Sequence, residues 1–246
     1  MPEPIGFIST SRQPQGIPAF DRWENLQEIT LLPQPMVDLT LRECECRGKE
    51  LVESVFGHMR YLGTRDVEAD GFLWTHEYAL ASNMRRIESL CLSREGAITL
   101  ARRVRWGPID KPIFDADDFL KTAAKFCWNA GQLLYKLQDP QALCLFATVE
   151  NLDGNTLMFN PAPCRAQFIA MCRNQGPVRR KETVPLKSGA GLRDCLERAL
   201  LRVANEVLNT FRTGLMSGPG WETSPIAYIS AEELHEVFER TIAEHA

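Results

Sequence analysis

Residues 87–106, IESLCLSREGAITLARRVRW, decide the fold of this chain. Two runs with alternating apolar and polar character flank Ser93-Arg94-Glu95-Gly96, and Gly96 can adopt the left-handed backbone a short connection needs. The pattern predicts a β-hairpin. In its second arm Ile98, Leu100, Arg102, Val104 and Trp106 share one face, while Thr99, Ala101, Arg103 and Arg105 share the other. The first face belongs against a core and the second toward solvent. Arg102 is the exception, since it falls among the apolar residues. A guanidinium there needs a carboxylate partner or a place at the sheet rim, because a lone buried charge is prohibitively costly.

Downstream, Pro108 and Pro112 end the extended segment. Asp115 is placed to cap a helix, with Asp117 and Asp118 in the first turn, where the helix dipole favours them. Phe119, Leu120, Ala123, Phe126, Cys127, Ala130, Leu133, Leu134 and Leu137 follow at helical spacing until Gln138-Asp139-Pro140. The run ALCLFATVE (142–150) is almost continuously apolar and predicts a strand with something packed on both faces. Short extended pieces, AQFIAMC and ETVPL, lead to a second helix striped by Leu192, Leu196, Leu200, Val203, Val207 and Phe211, with Gly214 as its stop. A last helix begins at Ser230, whose capping-box partner is Glu233. Its apolar side carries Leu234, Val237, Phe238 and Ile242.

Upstream, residues 39–62 carry two signals: LTLRECEC alternates like a strand, and ELVESVFGHMRYL has a helical stripe. Residues 1–38 are interrupted by Pro and Gly and predict an extended segment on a domain, or a linker. The expected organisation is this extended segment, a single α+β domain over 39–215, a linker over 216–229 and the terminal amphipathic helix over 230–246. The sheet is expected to be mainly antiparallel and packed by two long helices.

The 246 residues include 44% hydrophobic and 24% charged side chains at a net charge of -4, so the chain is globular and not a polyanion binder as a whole. No apolar run approaches the ~20 residues that span a bilayer. The first residues, MPEPIGFISTSRQPQG, lack a basic start followed by an apolar stretch. A cytoplasmic protein is expected, and with it eight cysteines that serve mainly as small hydrophobes.

Catalytic chemistry has few footholds. Cys44-x-Cys46 with His58 and His76 has no spacing suited to zinc, and on a strand both thiols would face the core, so no metal is expected. Ser217 sits between glycines but not in a Gly-x-Ser-x-Gly turn. His58 and His76 are the only histidines suited to a catalytic role, since His235 and His245 lie on the terminal helix and are expected in solvent. Lys187 and Ser188 stand before a helix, where they either start it or hold an anion; the P-loop glycine is missing. No cofactor is expected.

Arg103, Arg105, Arg179, Arg180 and Lys181 would make a phosphate-contacting surface if they shared a sheet face. A nucleic-acid face also wants stacking aromatics, and Trp106 falls on the opposite side. A solvated arginine face pairing with the acidic terminal helix accounts for the same residues.

The succession of hairpin (RRIESLCLSREGAITLARRV), helix (DADDFLKTAAKFCWNAGQLLYKL), apolar strand (ALCLFATVENLDG) and late helix, over about residues 80–215, resembles a module found in some bacterial proteins. There it follows an AlbA-type (Schlafen-like) DNA-binding domain. The resemblance is one of layout, and it implies an accessory, sensing or interaction region. The leading expectation is a non-enzymatic interaction module that binds a protein partner or itself, with Leu234, Val237, Phe238 and Ile242 as docking residues. The alternatives are a nucleic-acid-binding arginine face and an enzyme built on His58, His76 or a thiol.

Overall fold

In the computed structural model, residues 24–57, 63–68, 70–81, 84–106, 113–138, 140–152, 154–158, 170–172, 176–186, 191–213 and 229–243 are described. In chain order the elements are β1 (Glu24–Gln34), α1 (Leu41–Phe56), β2 (Thr64–Glu68), β3 (Gly71–Ala81), β4 (Met84–Ser93), β5 (Ile98–Trp106) and β6 (Ile113–Asp115). They continue as α2 (Ala116–Gln138), β7 (Ala142–Glu150), β8 (Thr156–Met158), β9 (Ala170–Cys172), β10 (Val178–Pro185), α3 (Leu192–Leu208), β11 (Phe211–Thr213) and α4 (Ala231–Ala243).

The deciding hairpin forms as its pattern predicts. β4 and β5 pair antiparallel with Leu90 opposite Leu100 and Leu92 opposite Ile98, and Gly96 turns the chain at φ 80°. Around it a seven-stranded sheet runs in the order β10-β7-β1-β5-β4-β3-β2, with every neighbouring pair antiparallel. A second sheet of four three-residue strands, β11-β9-β8-β6, contains one parallel pair, β6 with β8. The architecture is α+β.

The helices share one side of the large sheet. Trp74, Leu90, Leu100, Ile29 and Ala147 are linked by direct register and all face that side. α1 lies on β3 and β4, α2 crosses β1, α3 covers β10 and β7, and α4 packs on α2 and α3. Phe72, Trp74, Phe126 and Phe238 are completely or almost completely buried in the resulting core.

Four expectations change. Residues 24–34, inside the segment read as an extended N-terminal piece, form β1 in the middle of the sheet. Its alternation is masked in sequence because Asn25 and Gln27 take core-facing positions beside Ile29 and Leu31, and Pro33 closes the series. Residues 41–56 are helical throughout. Thr40 accepts from the backbone N–H of Glu43, and the Glu43 carboxylate accepts from the backbone of Thr40, so this capping box overrides the strand-like alternation of LTLRECEC. Cys44 and Cys46 therefore point different ways, Cys44 buried and Cys46 exposed. The second helix stops at Leu208, and Phe211 opens β11, where its ring stacks on Phe114 at 5.5 Å. Finally, β7 meets helices with Leu143, Leu145, Ala147 and Val149, but no described helix lies over Phe146 and Thr148 on its other side.

The terminal helix starts where its capping box predicts, with Glu233 N–H donating to Ser230 Oγ at 3.2 Å and Ser230 N–H to Glu233 Oε2 at 2.9 Å. It is not detached. Leu234, Val237 and Phe238 are buried against α2 and α3 of the same chain, so the surface they would offer a partner is already covered, with Ile242 packed at its margin. The linker expectation concerns residues that, apart from Ile229, lie outside the described set. No described helix is long and apolar enough to cross a membrane.

Candidate functional site

Because the described helices take one side of the large sheet, no described helix covers its other side, which is built from alternate residues of seven strands. Direct register carries one row straight across it: Lys181, Phe146, Thr30, Thr99, Cys91, Leu73 and Asp66. A second row runs Arg179, Thr148, Glu28, Ala101, Ser89, Thr75 and Thr64. The middle of the face is small and hydroxyl-rich, and its hydroxyls bond sideways to one another: Thr30 to Thr99 at 2.9 Å and Thr75 to Ser89 at 3.3 Å. Leu26, Leu32, Phe146, Ile87 and Leu73 are half-buried on either side of that middle. We name this surface the outer face.

The predicted basic residues divide between the two sides. Arg103, Arg179 and Lys181 lie on the outer face, whereas Arg180 turns to the helix side and pairs with Glu182 at 2.7 Å and Glu206 at 3.8 Å. The side chains of Arg105 and Trp106 lie outside the described residues. The outer-face arginines are matched by carboxylates: Arg85 Nη1 is 3.2 Å from Glu77 Oε1, Arg179 Nη2 is 3.6 Å from Glu150 Oε1, and Arg103 faces Glu28. Burial, reinforced by Glu150 and only partly offset by Arg103, raises the Glu28 carboxyl above its ordinary value. The expected pairing of this face with the terminal helix is not made, because α4 is on the far side of the sheet. There Arg193 of α3 bridges Glu197 at 2.6 Å and Glu239 of α4 at 2.7 Å, and His235 Nδ1 lies 3.1 Å from Glu197.

A charged cluster is buried between the sheet and the start of α2. Arg102, the residue whose position demanded a partner, is 2% exposed, with Nε 3.2 Å from Glu88 Oε1 and Nη2 2.5 Å from Asp118 Oδ2. Arg86 reaches the same Asp118 oxygen at 2.7 Å and donates to the Tyr78 hydroxyl at 3.4 Å. Burial alone would raise the Asp118 carboxyl, but Arg102 and then Arg86 outweigh it and hold it below the usual carboxylate range. Asp115 accepts the Asp118 N–H at 3.0 Å and is itself pushed up, first by burial. Arg86 and Arg102 are offset by Glu88 and Asp118, so the cluster ties α2 to β4 and β5 and leaves Asp118 poorly basic. Sequence gave half of this: Arg102 announced the need, while Glu88 and Asp118, 14 and 16 residues away, could be matched to it only by register and helix placement.

His76 stacks between Trp74 at 5.9 Å and Tyr78 at 5.3 Å. Cys127 is fully enclosed and its thiol is pushed up to about 12 by burial. Among the described residues no group of three or more His, Cys, Asp or Glu is placed to hold a metal ion. His58, His245, Lys187, Ser188 and Ser217 lie outside the described residues. Compared with protein-family models, with curated proteins and with solved structures, the chain matches none.

Proposed function

We propose that this chain is a non-enzymatic interaction module whose working surface is the outer face of its large sheet. The observation that carries the reading is the one-sided layering: four helices pack on one side, and the other side presents half-buried Leu26, Leu32, Leu73, Ile87 and Phe146 among paired charges. Protein-binding surfaces combine an apolar centre with polar surroundings in this way. Nucleic acid is the weaker reading, since Arg85, Arg103 and Arg179 each stand beside a carboxylate and leave little positive field for a phosphate chain. The layout resemblance to an accessory region behind a DNA-binding domain agrees with a module that works through a partner.

The test compares the wild-type chain with Ile87→Glu/Phe146→Glu on the outer face and with Tyr135→Glu, an exposed position on α2. Capture of a binding protein should be lost with the outer-face pair and kept with the α2 variant, all three unfolding at similar temperatures. Equal capture by all three contradicts the reading. Tight, salt-sensitive binding of a DNA or RNA duplex would favour the alternative.

A further inference from the structure

The long row of the outer face is chemically complementary to itself. Its long row reads, from one edge to the other, cation, aromatic ring, Thr, Thr, Cys, Leu, carboxylate: Lys181, Phe146, Thr30, Thr99, Cys91, Leu73, Asp66. Thr99 on β5 is its midpoint, and β5 is the fourth of seven strands. A twofold axis along β5 in the plane of contact sends each position to its mirror position in the row. Lys181 then meets the partner copy's Asp66 position, Phe146 meets Leu73, Thr30 meets Cys91 and Thr99 meets Thr99. One row further on Ala101 meets Ala101, and in the row after that Leu26 meets Ile87, Arg103 meets Arg103 and Glu150 meets Glu77. The other in-plane axis, across the strands, would set Lys181 on Lys181 and Asp66 on Asp66.

We propose that a second copy of this chain packs face to face on the outer face, about a twofold axis running along β5. The inference rests on the outer face being the working surface and adds what occupies it. Two further features fit. Both Lys181 and Asp66 are exposed at the rim, where charges set partner choice. The axis strand carries only Thr99 and Ala101 at its centre, and hydroxyls that already bond sideways lose little when water leaves. The like charges that meet, Arg103 on the axis and Glu150 against Glu77, are each offset within their own copy, by Glu28, Arg179 and Arg85 respectively. The size is also right: six spacings of ~4.8 Å make the face ~29 Å wide, and strands averaging roughly 25 Å give about 700 Å² per copy. A standard stable interface buries ~800 Å² per partner. Sheets stacked this way keep their strands within about 30° of one another.

Sedimentation equilibrium of the full chain is the test. The wild type should dimerise in the micromolar range. Lys181→Asp and Asp66→Lys should each weaken the dimer about tenfold, since each disturbs two symmetry-related contacts. The Lys181→Asp/Asp66→Lys swap should restore it to within about threefold of wild type, a rescue that loss of folding could not mimic. Phe146→Asp should leave a monomer. A wild type that stays monomeric up to about 100 μM overturns the proposal, as does a dimer indifferent to Phe146→Asp or a swap no better than its single parents. A monomeric chain whose protein capture still depends on Ile87 and Phe146 sinks the self-association while leaving the interaction-module reading intact. A monomeric chain with face-independent capture sinks both.

Discussion

Replacing Arg102 by Met removes a guanidinium that is 2% exposed and leaves its partner Glu88, 1% exposed, with Arg86 4.0 Å away. Deleting one partner of a buried ion pair costs about 3–5 kcal/mol, because the other charge stays desolvated. Met restores much of the lost stem volume, so the penalty is electrostatic and not a cavity effect. With a slope of about 3 kcal/mol per molar urea, the unfolding midpoint should fall by roughly 1–1.7 M. Adding Glu88→Gln removes the stranded charge, and the double variant should recover at least about 1 kcal/mol relative to the sum of the single changes. Urea titration followed by tryptophan fluorescence and circular dichroism reads both quantities. A midpoint shift under about 0.3 M, in the range of an ordinary surface substitution, would refute the assignment of Arg102 as the tie between β5 and α2.

Four further outcomes follow from the same structure. Phe238→Ala, at a fully buried ring of α4, should lower stability by about 3–5 kcal/mol in thermal unfolding, whereas a freely detachable helix would show almost no change. Native alkylation mapped by mass spectrometry should modify exposed Cys46 within minutes and spare both buried Cys44 and Cys127, whose enclosed thiol has almost no thiolate at pH 8; equal labelling of Cys44 and Cys46 would contradict the helical reading of residues 41–56. Asp118 has a depressed folded-state pKa, so its contribution is complete above the unfolded value of about 3.9 and lost as pH falls through the lower folded one. The stability gap between wild type and Asp118→Asn should therefore hold steady from about pH 7 to 5 and shrink below about pH 4. Glu28 has the opposite sign: its raised folded pKa makes it cost stability as pH rises from its unfolded value of about 4.3 through the higher folded one, so Glu28→Gln should raise the midpoint at pH 7 and converge with wild type in acid.

What sequence could convey follows from the range of the forces involved. The β4–β5 hairpin and α2 are written in local signals, a turn glycine between alternating runs and an acidic first turn before a helical stripe, and both form. The core position of Arg102 is likewise local, so its need for a carboxylate could be read. β1 could not, because its place between β5 and β7 depends on pairing over 67–81 and 108–124 residues, and Asn25 and Gln27 blur the period. Cys44 and Cys46 stay undecided between strand and helix in the sequence for the opposite reason: a two-residue alternation is short enough to occur by chance in a helix, and the Thr40–Glu43 cap decides the matter. The apolar stripe of α4 is equally suited to its own body or a neighbour's, and only the packing against α2 and α3 tells which. The outer face is a product of topology. Lys181, Phe146 and Asp66 come from distant strands, and no sequence window contains their row.

Cys91 lies on the outer face and Cys46 on α1, on the other side of the sheet, so the ratio of their alkylation rates reports occupation of one side alone. The account predicts that raising the chain concentration from about 10 nM to about 50 μM slows Cys91 labelling several-fold and leaves Cys46 unchanged. A ratio that stays constant across that range, with or without an added binding protein, would contradict the claim that the outer face is where this molecule works.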